Sequence, residues 1–223
     1  GMPPEEPDLA VLTGDLVAST KAGADAVDAA MDTLAHAAAE IEGWHVGGPT
    51  RFTRYRGDGW QIILDRPALA LRAALFLTAR LRAADAALAT RIAIGIGPVE
   101  SRGTVSLADA GGAAFQVSGR AVDAMKRQAR ITIDGEGVTD FQRVIVDLLS
   151  ERARRWTREQ AEAMGLALHP DQPTLSDLAS RLGITPQAVN YRLGGAGATE
   201  IRRALRVWED ADERDGNRGD DRG

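Results

Sequence analysis

Two aspartates of this 223-residue chain follow predicted strands, where their carboxylates can act together. Asp15 comes after the apolar run Leu9–Leu12, and Asp58 lies in the turn Gly57-Asp58-Gly59 of a predicted hairpin. If the two strands are neighbours, both carboxylates emerge at one edge of the sheet. Carboxylates are hard oxygen ligands, so the pair predicts an Mg²⁺ or Mn²⁺ site completed by water and a phosphate. Because a single aspartate is also common in turns, the prediction depends on the combination.

Polar residues elsewhere extend this candidate site. The turn that contains Ser19 and Thr20 offers backbone N–H groups at a helix start, where a phosphate is stabilised. A predicted helix over 113–127 carries polar residues at spacings of four, three and four: Gln116, Arg120, Asp123 and Arg127. Such a stripe is typical of a solvated helix face, and Arg120 could instead neutralise charge on a phosphoryl group.

The elements that position these residues alternate between strand and helix. Apolar residues recur at helical spacing over 27–41 and 70–84, and a hairpin is predicted over 51–64. Isoleucines alternate with small residues over 91–96, which predicts a central strand, with a second strand over 99–107 paired to it and a last one over 130–133. This order predicts an α+β fold, a ferredoxin-like palm with an antiparallel-rich sheet and helices on one face.

In the second half of the chain apolar residues recur at helical spacing, and residues 175–193 form a helix-turn-helix pattern. Gly183 is predicted to make the turn, and Thr185-Pro186 to begin the second helix. That helix would present four residues to double-stranded DNA: Gln187, Asn190, Tyr191 and Arg192. The alternative is a helix pair that serves only packing or dimerisation.

The composition excludes several classes of protein and of site. There is no cysteine, which excludes disulfides and thiolate metal sites, and the net charge of −5 is unlike that of a protein that coats nucleic acid. No membrane span and no signal peptide are evident, so we expect a cytoplasmic protein.

We predict a disordered N-terminus over 1–7 with Gly1 as a tag remnant, a palm domain over 8–137, a helical domain over 138–209 and a disordered acidic tail over 210–223.

Four motifs of the first half resemble the class III nucleotide cyclases: Gly14-Asp15, Arg56-Gly57-Asp58-Gly59, RIAIGIGP at 91–98 and GAAFQVSGR at 112–120. The resemblance implies that Asp15 and Asp58 hold metal ions, with the backbone carbonyl of Leu16 as a further ligand. It also implies that Gln116 and Arg120 act on ribose and triphosphate, and that Arg54 and Asp109 read the base. Gln116 stands where those cyclases have Asn, and a further lysine of theirs has no evident counterpart.

The chain as a whole is similar to the SatD family, which is cyclase-like at the front and helical behind. The similarity lies in TGDLVAST, YRGDGWQIIL, RIAIGIGPVE, FQVSGRAVDAMKR, RRWTREQAEAM and LSDLASRLGITPQAVNYRLGGAG, in this order. Cyclase sites are assembled between two subunits, so the resemblance also implies a homodimer.

Three functions fit these features. The first is a DNA-binding regulator whose palm binds a nucleotide or another phosphate-bearing molecule together with Mg²⁺ or Mn²⁺. The second is an active cyclase that converts a nucleoside triphosphate into a cyclic nucleotide and pyrophosphate. The third is a degenerate palm that serves only as a dimerisation platform. The two departures from the cyclase pattern favour the first over the second.

Overall fold

Five strands form one mixed sheet in the computed structural model, which describes residues 1, 6–55 and 57–220, the last six of them by backbone alone. The strands are β1 (Leu9–Val17), β2 (Thr53–Arg54), β3 (Gly59–Leu64), β4 (Ala89–Gly97) and β5 (Ile131–Gly135). Their order across the sheet is β2-β3-β1-β4-β5, and every pair is antiparallel except β4 with β5. The first four strands with their helices follow the β-α-β-β-α-β order of a ferredoxin-like fold.

Nine α-helices accompany the sheet in the described part of the chain. They are α1 (Ser19–Ala22), α2 (Ala24–Glu42), α3 (Ala70–Ala84), α4 (Ala113–Ala124), α5 (Asp140–Arg154), α6 (Arg158–Ala167), α7 (Leu175–Leu182), α8 (Pro186–Ala196) and α9 (Ala198–Asp220). Two short 3₁₀ turns precede α3 and α4, at Pro67–Leu69 and Leu107–Asp109.

Helices cover both faces of the sheet, so the prediction of helices on one face is wrong. The larger side chains of β4 point to the face that holds α2 and α3, where Ile92 and Ile94 join the main core. On the opposite face a Cβ at Gly95 would lie 2.5 Å from the Ala114 carbonyl oxygen of α4. Because Gly95 and Gly97 of β4 present no side chain on this face, the backbone of α4 can pack directly on it.

The predicted strand over 99–107 is absent from the structure. In its place Ser101 makes an isolated bridge with Gly111, and a 3₁₀ turn follows. The two sides of β4 are already taken by β1 and β5, which leaves no hydrogen-bonding edge for another strand. The segment therefore forms a loop between β4 and α4.

The helical second half shares its core with the palm. β5 ends at Gly135 and α5 begins at Asp140, and Val146 and Leu149 of α5 belong to the same buried cluster as the sheet. Trp156 is buried, and its indole N–H donates to the Ala196 carbonyl at 3.0 Å. Capping boxes at Thr139, Thr157 and Thr174 fix the starts of α5, α6 and α7.

The last helix continues to Asp220, through residues that the composition assigns to a disordered tail. In the first part of this stretch Arg66, next to α3, pairs with Glu213, and Arg214 donates to the Asp210 carbonyl one turn earlier. Residues 2–5 and 221–223 of the predicted disordered ends lie outside the described residues. None of the described helices is both long and apolar enough to cross a membrane.

Candidate functional site

The two aspartates predicted to act together lie on neighbouring strands. β1 and β3 are paired, and in their register Asp15 lies opposite Gly59, the residue after Asp58. The Leu16 N–H donates to the Asp58 carbonyl at 3.0 Å, which ties the end of β1 to the hairpin turn. Arg56, at the start of the same turn, lies outside the described residues.

Arg91 is a member of this site that the sequence reasoning missed. Asp15 lies opposite Arg91 in the β1–β4 register, and the guanidinium binds both carboxylate oxygens, at 2.8 and 2.5 Å. This hydrogen bond raises the pKa of Arg91, and the charges of Asp15, Asp123 and Asp58 add to it, while burial acts in the opposite direction. Arg91 therefore pairs with Asp15 and also lies within the electrostatic reach of Asp123 and Asp58.

Ser19 joins the site through Asp58. Its hydroxyl donates to the Asp58 carboxylate at 2.6 Å, from the first residue of α1. Thr20 is exposed one residue further on. The side chain of Leu16 is buried, and a role for its carbonyl as a metal ligand stays a prediction.

The charged residues of α4 act on two different strands, β4 and β5. Ser118, on the buried side of α4, lies 2.7 Å from Thr13 of β1 and so sets the position of the helix on the sheet. Further along, the charge of Asp123 reaches Arg91. Arg120 acts instead on Asp134 of β5: burial raises the pKa of Asp134, but hydrogen bonds from Arg143 and Gly135 and the charges of Arg143 and Arg120 lower it overall.

Gln116 and Arg120 are both exposed, one turn apart on α4. Within one chain, then, the charge of Asp123 acts on Arg91, whereas Gln116 and Arg120 face solvent. A sequence pattern gives the spacing along a helix, but it does not give the strand over which each turn lies.

The two residues predicted to read a base lie on opposite faces of β2. Arg54 pairs with Asp28 of α2 at 2.7 Å. The loop that carries Asp109 lies against the other face, because the Leu107 N–H donates to the Thr53 hydroxyl at 2.9 Å. Asp109 itself accepts from the Thr104 hydroxyl at 2.8 Å and from its N–H at 3.0 Å. The structure therefore does not bring Arg54 and Asp109 together.

The oxygen ligands available here are of the type that a hard divalent cation binds. Asp15 and Asp58 supply carboxylates, and the described residues contain no group of three or more His, Asp or Glu that could hold a metal ion. Mg²⁺ is held in proteins by one or two carboxylates, with water and substrate phosphate filling the remaining positions. Asp15, Asp58 and Asp123 against Arg91 leave two negative charges in excess, which favours a cation here.

The helix pair α7 and α8 presents three of its four predicted DNA-reading residues. Gly183 takes a left-handed conformation (φ 66°) between the helices, and the Thr185 hydroxyl caps α8 through the Ala188 N–H. Gln187 and Asn190 are exposed, and Tyr191 is 85% exposed. The fourth, Arg192, turns toward α6, where it lies 4.0 Å from Glu162.

Comparison with known proteins finds similarity in solved structures alone. The chain is similar to the guanylyl cyclase Cya2 in its crystal structure, with 16% sequence identity and a TM-score of 0.40 over 56% of this chain and 74% of that one. No curated protein matches the sequence. No family model matches it either, so membership of the SatD family stays a prediction.

Proposed function

We propose that this protein is a DNA-binding regulator whose palm binds a nucleotide or another phosphate-bearing molecule together with Mg²⁺ or Mn²⁺. The observation that carries the proposal is the pairing of β1 with β3, which places Asp15 opposite Gly59 and ties Leu16 to the Asp58 carbonyl. Partly exposed carboxylates at the joined ends of two strands, such as Asp15 and Asp58, are a typical place for a metal ion that binds together with phosphate.

The charge of this group makes phosphate binding depend on the metal. Three carboxylates and one guanidinium carry a net charge of −2, which repels a phosphate on its own. A divalent cation between Asp15 and Asp58 would cancel that excess and offer its remaining coordination positions to phosphate oxygens. The Ser19 hydroxyl, held 2.6 Å from the Asp58 carboxylate, would orient that carboxylate toward the ion.

The exposed side chains of α8 support the DNA-binding half of the proposal. Gln187 and Asn190 carry amides, which read adenine in the major groove, and Tyr191 adds an exposed ring with a hydroxyl. Ligand binding in the palm would change DNA affinity to the extent that it favours one arrangement of these helices. A homodimer would suit a palindromic DNA site.

The metal-binding step is tested with Mn²⁺ alone, followed by electron paramagnetic resonance of the free ion. We expect saturable binding to the wild-type protein and its loss in Asp58→Asn. Asp32→Asn, on the exposed face of α2, is the matched control and keeps binding. Equal binding by Asp58→Asn and wild type would contradict the proposed metal site.

The DNA-binding step is tested by selection from random duplexes, followed by fluorescence anisotropy with the selected sequence. Alanine at Gln187 and Tyr191 is expected to weaken binding at least tenfold, since each good base contact contributes about 1–3 kcal/mol. Ser180→Ala, on the exposed side of α7, serves as control. No enrichment of any duplex would overturn the DNA-binding half and leave the palm proposal standing.

An active nucleotide cyclase is the second candidate. It is favoured by Gln116 and Arg120, which stand one turn apart and exposed, as groups that hold ribose and triphosphate would. In that reaction the ribose 3′-oxygen attacks the α-phosphorus, pyrophosphate leaves with the bridging oxygen, and Arg120 stabilises the charge on the phosphates. Incubation with each ribonucleoside triphosphate and Mn²⁺, beside Asp58→Asn, separates the candidates: a cyclic product of the wild type alone establishes the enzyme.

A further inference from the structure

The outer face of α5 carries a row of large apolar side chains without a partner among the described residues. Phe141 is 84% exposed, Val144 54% and Leu148 65%, and they follow one another at helical spacing along one side of the helix. The opposite side of α5 packs into the core through Val146, Leu149 and Ala153. The helix thus has two apolar sides, one buried in the core and one exposed to solvent. An exposed apolar side is unusual for a helix that has no partner there.

An apolar groove lies beside this row. It has a volume of about 470 Å³ and runs between the first half of α5 and the first half of α9, where it is lined by Phe141, Ile145, Ala204, Val207 and Trp208. Val207 is itself 58% exposed. The molecule therefore has, on one face, both a projecting apolar ridge and a depression of similar chemistry.

We propose that this face binds a second copy of the chain and forms a two-fold symmetric dimer in which the two α5 helices run antiparallel. The groove opens at Phe141, and Leu148 projects two turns further along, about 10 Å away. With the two-fold axis near Val144, Leu148 of each copy lies opposite Phe141 of the other, at the mouth of its groove. One surface supplies both halves of the contact, as a two-fold interface requires.

The charges at the two ends of α5 favour the antiparallel arrangement. Asp134, Glu136 and Asp140 precede or begin the helix, and with Arg143, which pairs with Asp134 and Asp140, this end keeps two negative charges in excess. Arg152, Arg154 and Arg155 end the helix, and with Glu151, which pairs with Arg155, that end keeps two positive charges in excess. Antiparallel pairing brings the acidic end of each copy to the basic end of the other, and it opposes the two helix dipoles. Parallel pairing would place like charges together at both ends.

The test of this dimer uses neither nucleotide nor DNA, so its outcome can be told apart from that of the proposed function. Molar mass is measured by light scattering and by sedimentation equilibrium over a range of protein concentrations. The wild-type chain is expected to be a dimer, and Leu148→Asp to halve its molar mass. Val105→Asp is the matched control, because Val105 is 92% exposed in the loop before α4, away from α5, and this variant stays a dimer.

Cysteine cross-linking tests the geometry, since the chain has no cysteine of its own. Under oxidation Val144→Cys is expected to form a disulfide-linked dimer, because it lies near the axis. A mixture of Phe141→Cys and Leu148→Cys chains should form mixed disulfides, and a Val105→Cys chain should form none. Each chain in these experiments carries a single cysteine, so every disulfide that forms joins two chains.

Three results would overturn the proposal. The first is a wild-type chain that stays monomeric at every concentration. The second is a dimer that Leu148→Asp leaves intact, which would place the interface elsewhere, for example on the palm face that carries α4. The third is a dimer whose Val144→Cys and mixed variants do not cross-link. Circular dichroism of each variant checks that its fold is retained.

Discussion

At the scale of single residues, Arg91 determines the electrostatics of the candidate site. Its guanidinium neutralises one of three carboxylates at the end of β1 and holds Asp15 in a fixed orientation through two hydrogen bonds. Paired in this way, the Asp15 carboxylate repels that of Asp58 less than an unpaired carboxylate would. Arg91 thus makes a close pair of aspartates tolerable before any cation binds.

Asp109 offers a residue-scale prediction with a definite sign. Hydrogen bonds from the Thr104 hydroxyl and N–H lower the pKa of Asp109 below its ordinary value of 3.8. A lowered folded-state pKa stabilises the fold above pH 3.8, and that contribution is lost as the pH falls through the lower, folded-state value. Carboxyl NMR titration should show Asp109 below 3.8, and Thr104→Ala should raise it. Titration of wild-type Asp109 at or above 3.8 would contradict the observed hydrogen bonds.

The sequence predicted part of this site because part of it is local. Asp15 and Asp58 each follow from a strand and its turn, and their closeness needs only that β1 and β3 be neighbours. Arg91 could not be found in this way, because its partnership with Asp15 depends on the β1–β4 register. A slip of one residue in that register would turn Arg91 to the other face of the sheet.

At the scale of elements, β4 determines how closely the layers approach. Its isoleucines fill the face toward α2 and α3, and its small residues let α4 lie against the other face. The sequence showed the alternation and indicated that something packs close. It did not identify α4 as the partner, because a strand pattern gives the shape of a face but not the element that covers it.

Two glycine substitutions test this packing. Gly95→Ala places a Cβ 2.5 Å from the Ala114 carbonyl oxygen and 2.7 Å from the Ser118 nitrogen, both backbone atoms, so we expect a loss of about 1–3 kcal/mol. Gly119→Ala on α4 meets nothing within 4 Å and should stabilise the protein by about 0.5–1 kcal/mol. Urea denaturation measures both. Equal effects of the two variants would mean that α4 does not pack on β4 as described.

At the scale of the whole molecule, a buried ion pair joins the palm to the last helix. Arg72 of α3 is 4% exposed and binds Glu209 of α9 at 2.8 Å and the Leu168 carbonyl at 2.9 Å. The sequence separated a palm from a helical part, and β5 does end near the predicted boundary. It did not predict that the two parts share one core, because the contacts between α3 and the helices that follow α5 are distant in sequence.

Removing the acidic partner tests how firmly the two parts are joined. Glu209→Ala leaves the Arg72 charge buried without its carboxylate, and we expect a loss of about 3 kcal/mol, with faster hydrogen exchange in α9. Glu213→Ala removes only the exposed pair with Arg66 and should cost less than about 1 kcal/mol. A loss equal to that of the Glu213 variant would show that Arg72 and Glu209 do not join the two parts.

The most direct test of the proposed function is calorimetric titration of the wild-type protein with each ribonucleoside triphosphate, with and without Mn²⁺. The charges at the end of β1 predict binding of at least one triphosphate that requires the metal and is lost in the double variant Asp15→Asn/Asp58→Asn. Asp32→Asn should bind as the wild type does. Binding that persists without metal or in the double variant, or no binding of any triphosphate, would contradict a metal-dependent nucleotide site in the palm.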